Sequence, residues 1–299
     1  MRRLFLLAFI WGWSFLLIKV AVGGMTPPTV AAIRLALGAA VVLVVVRARR
    51  WAVPRGWRWW RHFLFVGTFG SALPFTMLAW GEQHVSSALT AVLNASTPLF
   101  AAIMAGILLG DRLRFVQFGG LLLGFLGVAV AAGIGSSDLA QSSRLGEAAS
   151  VAAGACYGLS FAYARRHLME LAPLLAAAGQ LVMGTLLLIP AAVATTVRGG
   201  FHVNARQALA VMLLGVLGTG VAYVISYRLI ADVGPTRAAA VTYLIPIVAV
   251  TVGVVFLHEP FSIRMVVGGL LTVAGIAILG ARRPRAPADP LSVPHASPR

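Results

Sequence analysis

A chain of 299 residues with 60% apolar and 11% charged residues departs far from the composition of soluble domains, which are nearer half apolar and a quarter charged. This excludes a soluble globular enzyme, a disordered protein and a disulfide scaffold; the single cysteine, Cys156, has no intramolecular partner. The formal charge of +16 arises from 24 basic residues, all Arg except Lys19, which collect in short gaps between apolar runs; no nucleic-acid partner is expected.

A bilayer-spanning helix needs about 20 apolar residues. The apolar runs predict ten such helices over residues 4–22, 29–47, 63–80, 86–109, 115–134, 147–164, 173–196, 208–230, 237–257 and 264–281. An all-α membrane protein follows, because β-barrel strands alternate polar and apolar residues and lack long apolar runs. The first run opens with Met1-Arg2-Arg3 but continues through Trp11 and Trp13, so it reads as a span and not as a secretory leader. Between the runs stand turn formers, among them Gly23-Gly24-Met25-Thr26-Pro27-Pro28 and Gly234-Pro235-Thr236. Residues 282–299, rich in Pro, Ala and Ser, are expected to be a disordered cytoplasmic tail. With the N-terminus inside, 18 of the basic residues fall on the cytoplasmic side and 4 outside, while Lys19 and Arg34 lie within spans. That bias sets both termini inside, which requires an even number of spans and a multi-pass topology.

The sequence also repeats. Trp11-Gly12-Trp13-Ser14-Phe15 recurs as Tyr157-Gly158-Leu159-Ser160-Phe161, and at the same offset Lys19 meets Arg165 and Pro27 meets Pro173. Further on, Gly67 aligns with Gly215, Gly70 with Gly218, Pro98 with Pro246, Asp111 with Glu259, Gly120 with Gly268 and Gly127 with Gly275. The unit is five helices, so the second copy enters the membrane from the opposite side, an inverted-repeat plan recurrent in secondary transporters. The domains are thus a first repeat over 1–134, an external linker over 135–146 and a second repeat over 147–281.

Ten spans in two copies, the Trp11-Gly12-x-x-Phe15 start, and Pro98 and Pro246 each followed by Asp111 or Glu259 resemble the EamA-type members of the drug/metabolite transporter superfamily. The resemblance covers residues 4–281 and departs from the family in carrying Asp111 where Glu is usual. It implies export of amino acids or other small metabolites in bacteria.

No acidic residue is expected mid-span: Glu82, Asp111, Asp138, Glu147, Glu170, Asp232, Glu259 and Asp289 fall at helix ends or in loops, as do the six histidines. A protease site at membrane depth cannot be assembled from them, and no enzyme, metal or cofactor is expected. Pro98 and Pro246 stand near the middles of the fourth and ninth spans. Each frees the carbonyl four residues earlier, on Asn94 and Thr242, which also bear polar side chains. These paired kinks suit either a binding or gating site, or a structural kink re-satisfied by Ser or Thr. Trp11, Trp13, Trp80, Tyr157, Tyr223, Tyr227 and Tyr243 supply aromatic walls, with Ser71 and its repeat mate Thr219 among them; interfacial anchoring is the competing reading, favoured for Trp80 and Tyr227. Lys19 either snorkels outward, as Arg34 is also expected to do, or pairs with a substrate carboxylate. Asp111 and Glu259 are expected to cap the helix that follows each. Ser160 reads as a packing or hydrogen-bonding residue. The Gly120, Gly124, Gly127, Gly268, Gly269 and Gly275 stripes permit either an intramolecular crossing or a homodimer seam.

The function expected from these features is a secondary transporter that exports small organic metabolites, foremost neutral or aromatic amino acids, by alternating access. Its candidate substrate-binding residues are Asn94, Thr242, Tyr157, Tyr243, Trp11, Ser71, Thr219, Tyr223 and Lys19, with Pro98 and Pro246 as gating kinks. The partners are a small-molecule substrate and the lipid bilayer. A multidrug exporter of amphipathic cations and a non-transporting receptor or assembly subunit are the alternatives.

Overall fold

The computed structural model describes residues 2–52, 54, 56–112, 114–132, 143–199, 203–233, 241–259 and 262–280. The expected tail, and most of the expected linker, lie outside these residues. Among those described, the chain forms ten helical rods. They are α1 (Arg2–Ala21), α2 (Pro27–Ala48), α3 (Trp57–His84), α4 (Ser87–Leu109), α5 (Phe115–Ala131), α6 (Arg144–His167), α7 (Pro173–Gly199), α8 (Ala205–Gly215 continuing through Val216–Val221 and Ala222–Val233), α9 (Val241–Leu257) and α10 (Ile263–Gly280). No strand occurs among the described residues.

Seven of these rods are long and apolar enough to cross a membrane, and α5 and part of α9 are shorter apolar helices. Their outward faces carry large apolar side chains: Phe115 is 92% exposed, Ile107 69% and Leu270 63%. Helices apolar on all sides belong in lipid, so the fold is an all-α, multi-pass membrane protein.

Local chemistry explains where the rods depart from simple helices. α3 begins six residues earlier than the apolar run suggests, because Trp57, Trp59 and Trp60 add an aromatic turn to its basic end. α3 widens to a π-helical stretch at Thr68–Ala72, and α8 does the same at Val216–Val221. Pro74 cannot donate to the Gly70 carbonyl, which favours the wider winding in α3. α4 breaks after Asn94 and restarts at Thr97, just before Pro98. The Thr97 hydroxyl donates to the freed Asn94 carbonyl at 2.8 Å, and the Ser96 hydroxyl to Leu93 O at 2.7 Å. Pro246 instead sits inside a continuous α9.

The first five rods and the last five interleave. α2 crosses α7, α1 packs on α9, α4 on α6 and α5 on α10. Glycines set these crossings, and their contacts recur across the chain. A Cβ on Gly12 would lie 2.5 Å from Val248, and one on Gly158 would lie 2.6 Å from the backbone of Ala101, beside Phe100. Each motif glycine therefore presses on the helix that carries a midspan proline, two or three residues beyond that proline. The α5 and α10 stripes face each other inside one chain, Gly120 against Gly275 and Gly127 against Gly268. They are the intramolecular crossing of the two readings the sequence allowed.

Two expectations on caps are corrected. Glu259 does not cap α10; its carboxylate accepts the Ser87 amide at 2.7 Å and the Ala88 amide at 3.0 Å, at the N-terminus of α4. The tight turn after α9, with His258 at φ 52°, carries it there. Asp111 accepts from Arg165 Nη1 at 2.8 Å, while the Gln117 side chain takes the Arg114 amide at the start of α5.

Candidate functional site

The centre of the candidate site is the crossing of α2 and α7, which lies in a buried apolar cluster and is flanked by the two π-helical stretches. Arg34 and Gln180 are the long polar side chains that reach the π-helical stretches from it, one on each helix; nearer the start of α2, Thr29 pairs with Thr196 of α7 at 2.8 Å. Arg34 is only 7% exposed, which corrects the expectation that it snorkels outward. Its Nε donates to Thr219 Oγ1 at 2.8 Å, and its guanidinium stacks 3.8 Å above the Phe75 ring. Gln180 Nε2 donates to Ser71 Oγ and to the Gly70 carbonyl, both at 2.9 Å, and lies 3.3 Å from the Tyr223 hydroxyl. Ser71 and Thr219 are fully buried.

The two bonds are counterparts. Arg34 and Gln180 are 146 residues apart, Ser71 and Thr219 are 148 apart, and each long side chain reaches the hydroxyl in the other half of the chain. The surrounding glycines follow the same exchange: a Cβ on Gly38 would meet Thr219, and one on Gly184 would meet Ser71. Likewise Gly70 abuts the Ser160 hydroxyl and Gly218 abuts that of Ser14. Ser160 therefore packs at the helix crossing, as its sequence suggested. π-turns of this kind concentrate at functional positions, because the extra residue re-aims side chains and loosens the backbone ladder.

Tyr157 stands beside this centre. Its ring meets Phe75 edge-on at 6.2 Å and packs both against the cluster of Leu35, Phe75 and Leu181 and against that of Phe15, Leu78 and Ala91. The structure thus brings Ser71, Thr219, Tyr157 and Tyr223 together around Arg34, Gln180 and Phe75. Asn94 lies at the break in α4, where its Oδ1 is buried and has no hydrogen-bond partner among the described residues. Trp11 lies apart, packed with Leu7, Ala222, Leu229 and Val241 between α1, α8 and α9. Thr242 and the backbone of Tyr243 are in the first turn of α9; the Tyr243 and Tyr227 side chains are outside the described residues.

Lys19 is at the far end of α1. It donates to the backbone carbonyls of Glu82 and of Val85, the latter at 2.9 Å, and so caps the C-terminus of α3. Glu82, expected at the periphery, is fully buried there; its Oε2 accepts from the Ser87 hydroxyl at 2.8 Å, and Oε1 has no partner among the described residues. At the same end a cavity of about 450 Å³ is lined by Thr26, Pro27, Pro28, Thr76, Met77, Trp80, Ala149 and Thr195. Pro27 and Pro28 begin α2, and Thr76 follows Phe75, so the cavity lies above the Arg34 layer. No cluster able to hold a metal ion occurs among the described residues.

Arg34, Gln180 and Glu82 were not among the candidates drawn from the sequence. Two signals point to the first pair: the 146-residue offset aligns Arg34 with Gln180, and Pro74 frees the carbonyl that Gln180 holds.

This architecture has known counterparts. The chain is 28% identical over 279 residues to a Streptantibioticus cattleyicolor protein named "Probable terminal-alkyne amino-acid exporter", covering 91% of this chain and 90% of that one. It is 25% identical to an uncharacterized transporter of Archaeoglobus fulgidus, over 91% of this chain and 95% of the other. A crystal structure with 21% sequence identity superimposes with a TM-score of 0.64, covering 92% of this chain and 94% of its own, which supports the fold. These protein relatives are named as transporters, not enzymes. The EamA-like transporter family matches residues 3–133 and again 144–281, and the chain belongs to that family.

Proposed function

We propose that the chain is a secondary transporter of a bacterial inner membrane, with ten spans in two inverted five-helix repeats and both termini inside. It exports small organic metabolites, foremost neutral or aromatic amino acids, by alternating access. The observation that carries this reading is the crossed pair of hydrogen bonds, Arg34 to Thr219 and Gln180 to Ser71. Each joins a helix of one half to a π-turn of the other, at the layer where a substrate between two repeats would sit. If one half rocks against the other, these bonds are the contacts that must shear or rotate. Pro98 and Pro246 are the proposed gating kinks, Asn94 and Thr242 polar groups of the site beside them, and Tyr157, Tyr223 and Tyr243 its aromatic wall. The cavity above Arg34 is the external vestibule. The amino-acid exporter at 28% identity supports the choice of substrate class.

Counterflow in proteoliposomes tests it. Vesicles are loaded with unlabelled neutral and aromatic amino acids, and protein-dependent entry of each labelled one is followed. Entry that needs the internal pool is the expected result. No entry of any, with the protein monodisperse and folded, overturns amino acids as the cargo; a stoichiometric protein partner without flux would favour an assembly subunit.

A further inference from the structure

The central layer carries a positive charge for which the described residues supply no ion-pair partner. The guanidinium of Arg34 keeps its proton in any protein setting and is buried within α2. Its Nε is taken by Thr219 and one face is covered by Phe75. Among the described residues Nη1 and Nη2 donate to no acceptor, and no carboxylate lies within ion-pair distance; the ion pairs found use Arg3, Arg58, Arg144 and Arg165. A cation–π contact offsets only part of the cost of removing such a charge from water. Charged residues at membrane depth mark substrate or ion paths unless another protein group neutralises them. Glu82, the buried carboxylate within electrostatic reach, is engaged by the Ser87 hydroxyl.

The two halves differ in charge at this position. At the counterpart position Gln180 makes the same kind of bond to a π-turn hydroxyl without bearing a charge. A neutral amide is thus sufficient to hold the crossing, and the charge of Arg34 is surplus to packing. We infer that Arg34 is the anion anchor of the central site: its Nη1 and Nη2 receive the carboxylate of the transported solute, as a planar fork suited to two parallel hydrogen bonds. Arg34 lies about 10 Å along α2 from Pro27 at the cavity rim, two helical turns in. A solute entering past Thr76 meets the guanidinium with Tyr157 and Tyr223 beside it. The same charge repels amphipathic cations, so the substrate class is a carboxylate-bearing metabolite. This rests on the transport reading above.

The test is counterflow with L-leucine, L-phenylalanine and L-threonine, each beside its own carboxamide, in wild type, Arg34→Gln and Arg34→Lys. The wild type is expected to move acids faster than amides by about tenfold or more, the worth of a charge-assisted pair. Arg34→Gln copies what Gln180 does and can still reach Thr219, so it is expected to fold, as melting in detergent checks, and to bring the acid-to-amide ratio down to within about twofold of unity. Arg34→Lys keeps the charge without the fork and is expected to fall between. A wild type that moves amides as fast as acids, or an Arg34→Gln variant with the wild-type ratio, overturns the anchor while transport stands. A folded wild type that moves none of the six overturns the amino-acid transport reading, and the anchor with it.

Discussion

Gln180 donates to Ser71 Oγ across 2.9 Å, and the same amide nitrogen holds the Gly70 carbonyl that Pro74 leaves free. The two acceptors are not equivalent. Ser71 is a hydroxyl able to turn toward another partner, whereas the Gly70 carbonyl has lost its helical donor by covalent necessity.

Gln180→Leu is therefore expected to cost more than Ser71→Ala. The leucine leaves a buried carbonyl without a donor, at about 1–3 kcal/mol, whereas the alanine removes one of three acceptors and costs about 1 kcal/mol. Thermal or denaturant unfolding in detergent measures both. Equal losses would mean that the Gly70 carbonyl does not depend on Gln180.

Gly38→Ala tests the close approach of α2 to the π-turn of α8. The new Cβ would lie 2.5 Å from Thr219 Cγ2 and 2.9 Å from its Cβ. Overpacking of this kind costs about 1–3 kcal/mol. Thr219→Ser removes the methyl and keeps the hydroxyl that Arg34 uses. Adding it to Gly38→Ala should recover part of the lost stability, and a strictly additive pair of losses would contradict the contact.

Much of this architecture is legible in the sequence. The all-α membrane class follows from composition, and the rods begin and end near their apolar runs because Gly, Pro and basic clusters punctuate them. The break at Asn94 follows from Pro98, and its repair by Thr97 is the structural alternative that proline allowed. The central layer was less legible for a physical reason. A lone Arg within an apolar run reads as a snorkelling side chain, and it is buried by the approach of α2 to Thr219 together with the Phe75 ring. Gln180 carries no charge and forms no motif. Glu82 sits two residues from a helix end, where carboxylates are ordinarily solvated, and is buried because Lys19 and the α4 N-terminus close over it. Glu259 points to a distant helix rather than the next one, because the turn at His258 directs it there, and no local spacing encodes that turn's outcome.

Glu259→Ala is expected to weaken the start of α4 specifically. It strips the acceptor from the Ser87 and Ala88 amides, a loss of about 0.5–2 kcal/mol for an N-terminal cap. Hydrogen exchange at those two amides should quicken, while Glu259→Gln, which keeps an acceptor oxygen, should restore most of the protection. Unchanged exchange in the alanine variant would show that Ser86, which accepts the Leu89 amide at 3.2 Å, suffices as the cap.

Asn94 separates stability from function. Its carbonyl is already satisfied by Thr97, but its side-chain Oδ1 is buried and unpartnered among the described residues. An acceptor left in that state costs about 1–3 kcal/mol, so a residue retained purely for packing would be better as leucine. Asn94→Leu is expected to melt at or above the wild-type temperature and yet to slow amino-acid counterflow, the trade-off of a polar group kept for a ligand. Replacing Thr242, which stands 148 residues away at the corresponding place, by valine in the same chain should deepen the transport loss, because each proposed half of the site then lacks its polar group beside the proline. A double variant with wild-type turnover would remove both residues from the site; a double variant that also fails to fold would return Asn94 to a structural role.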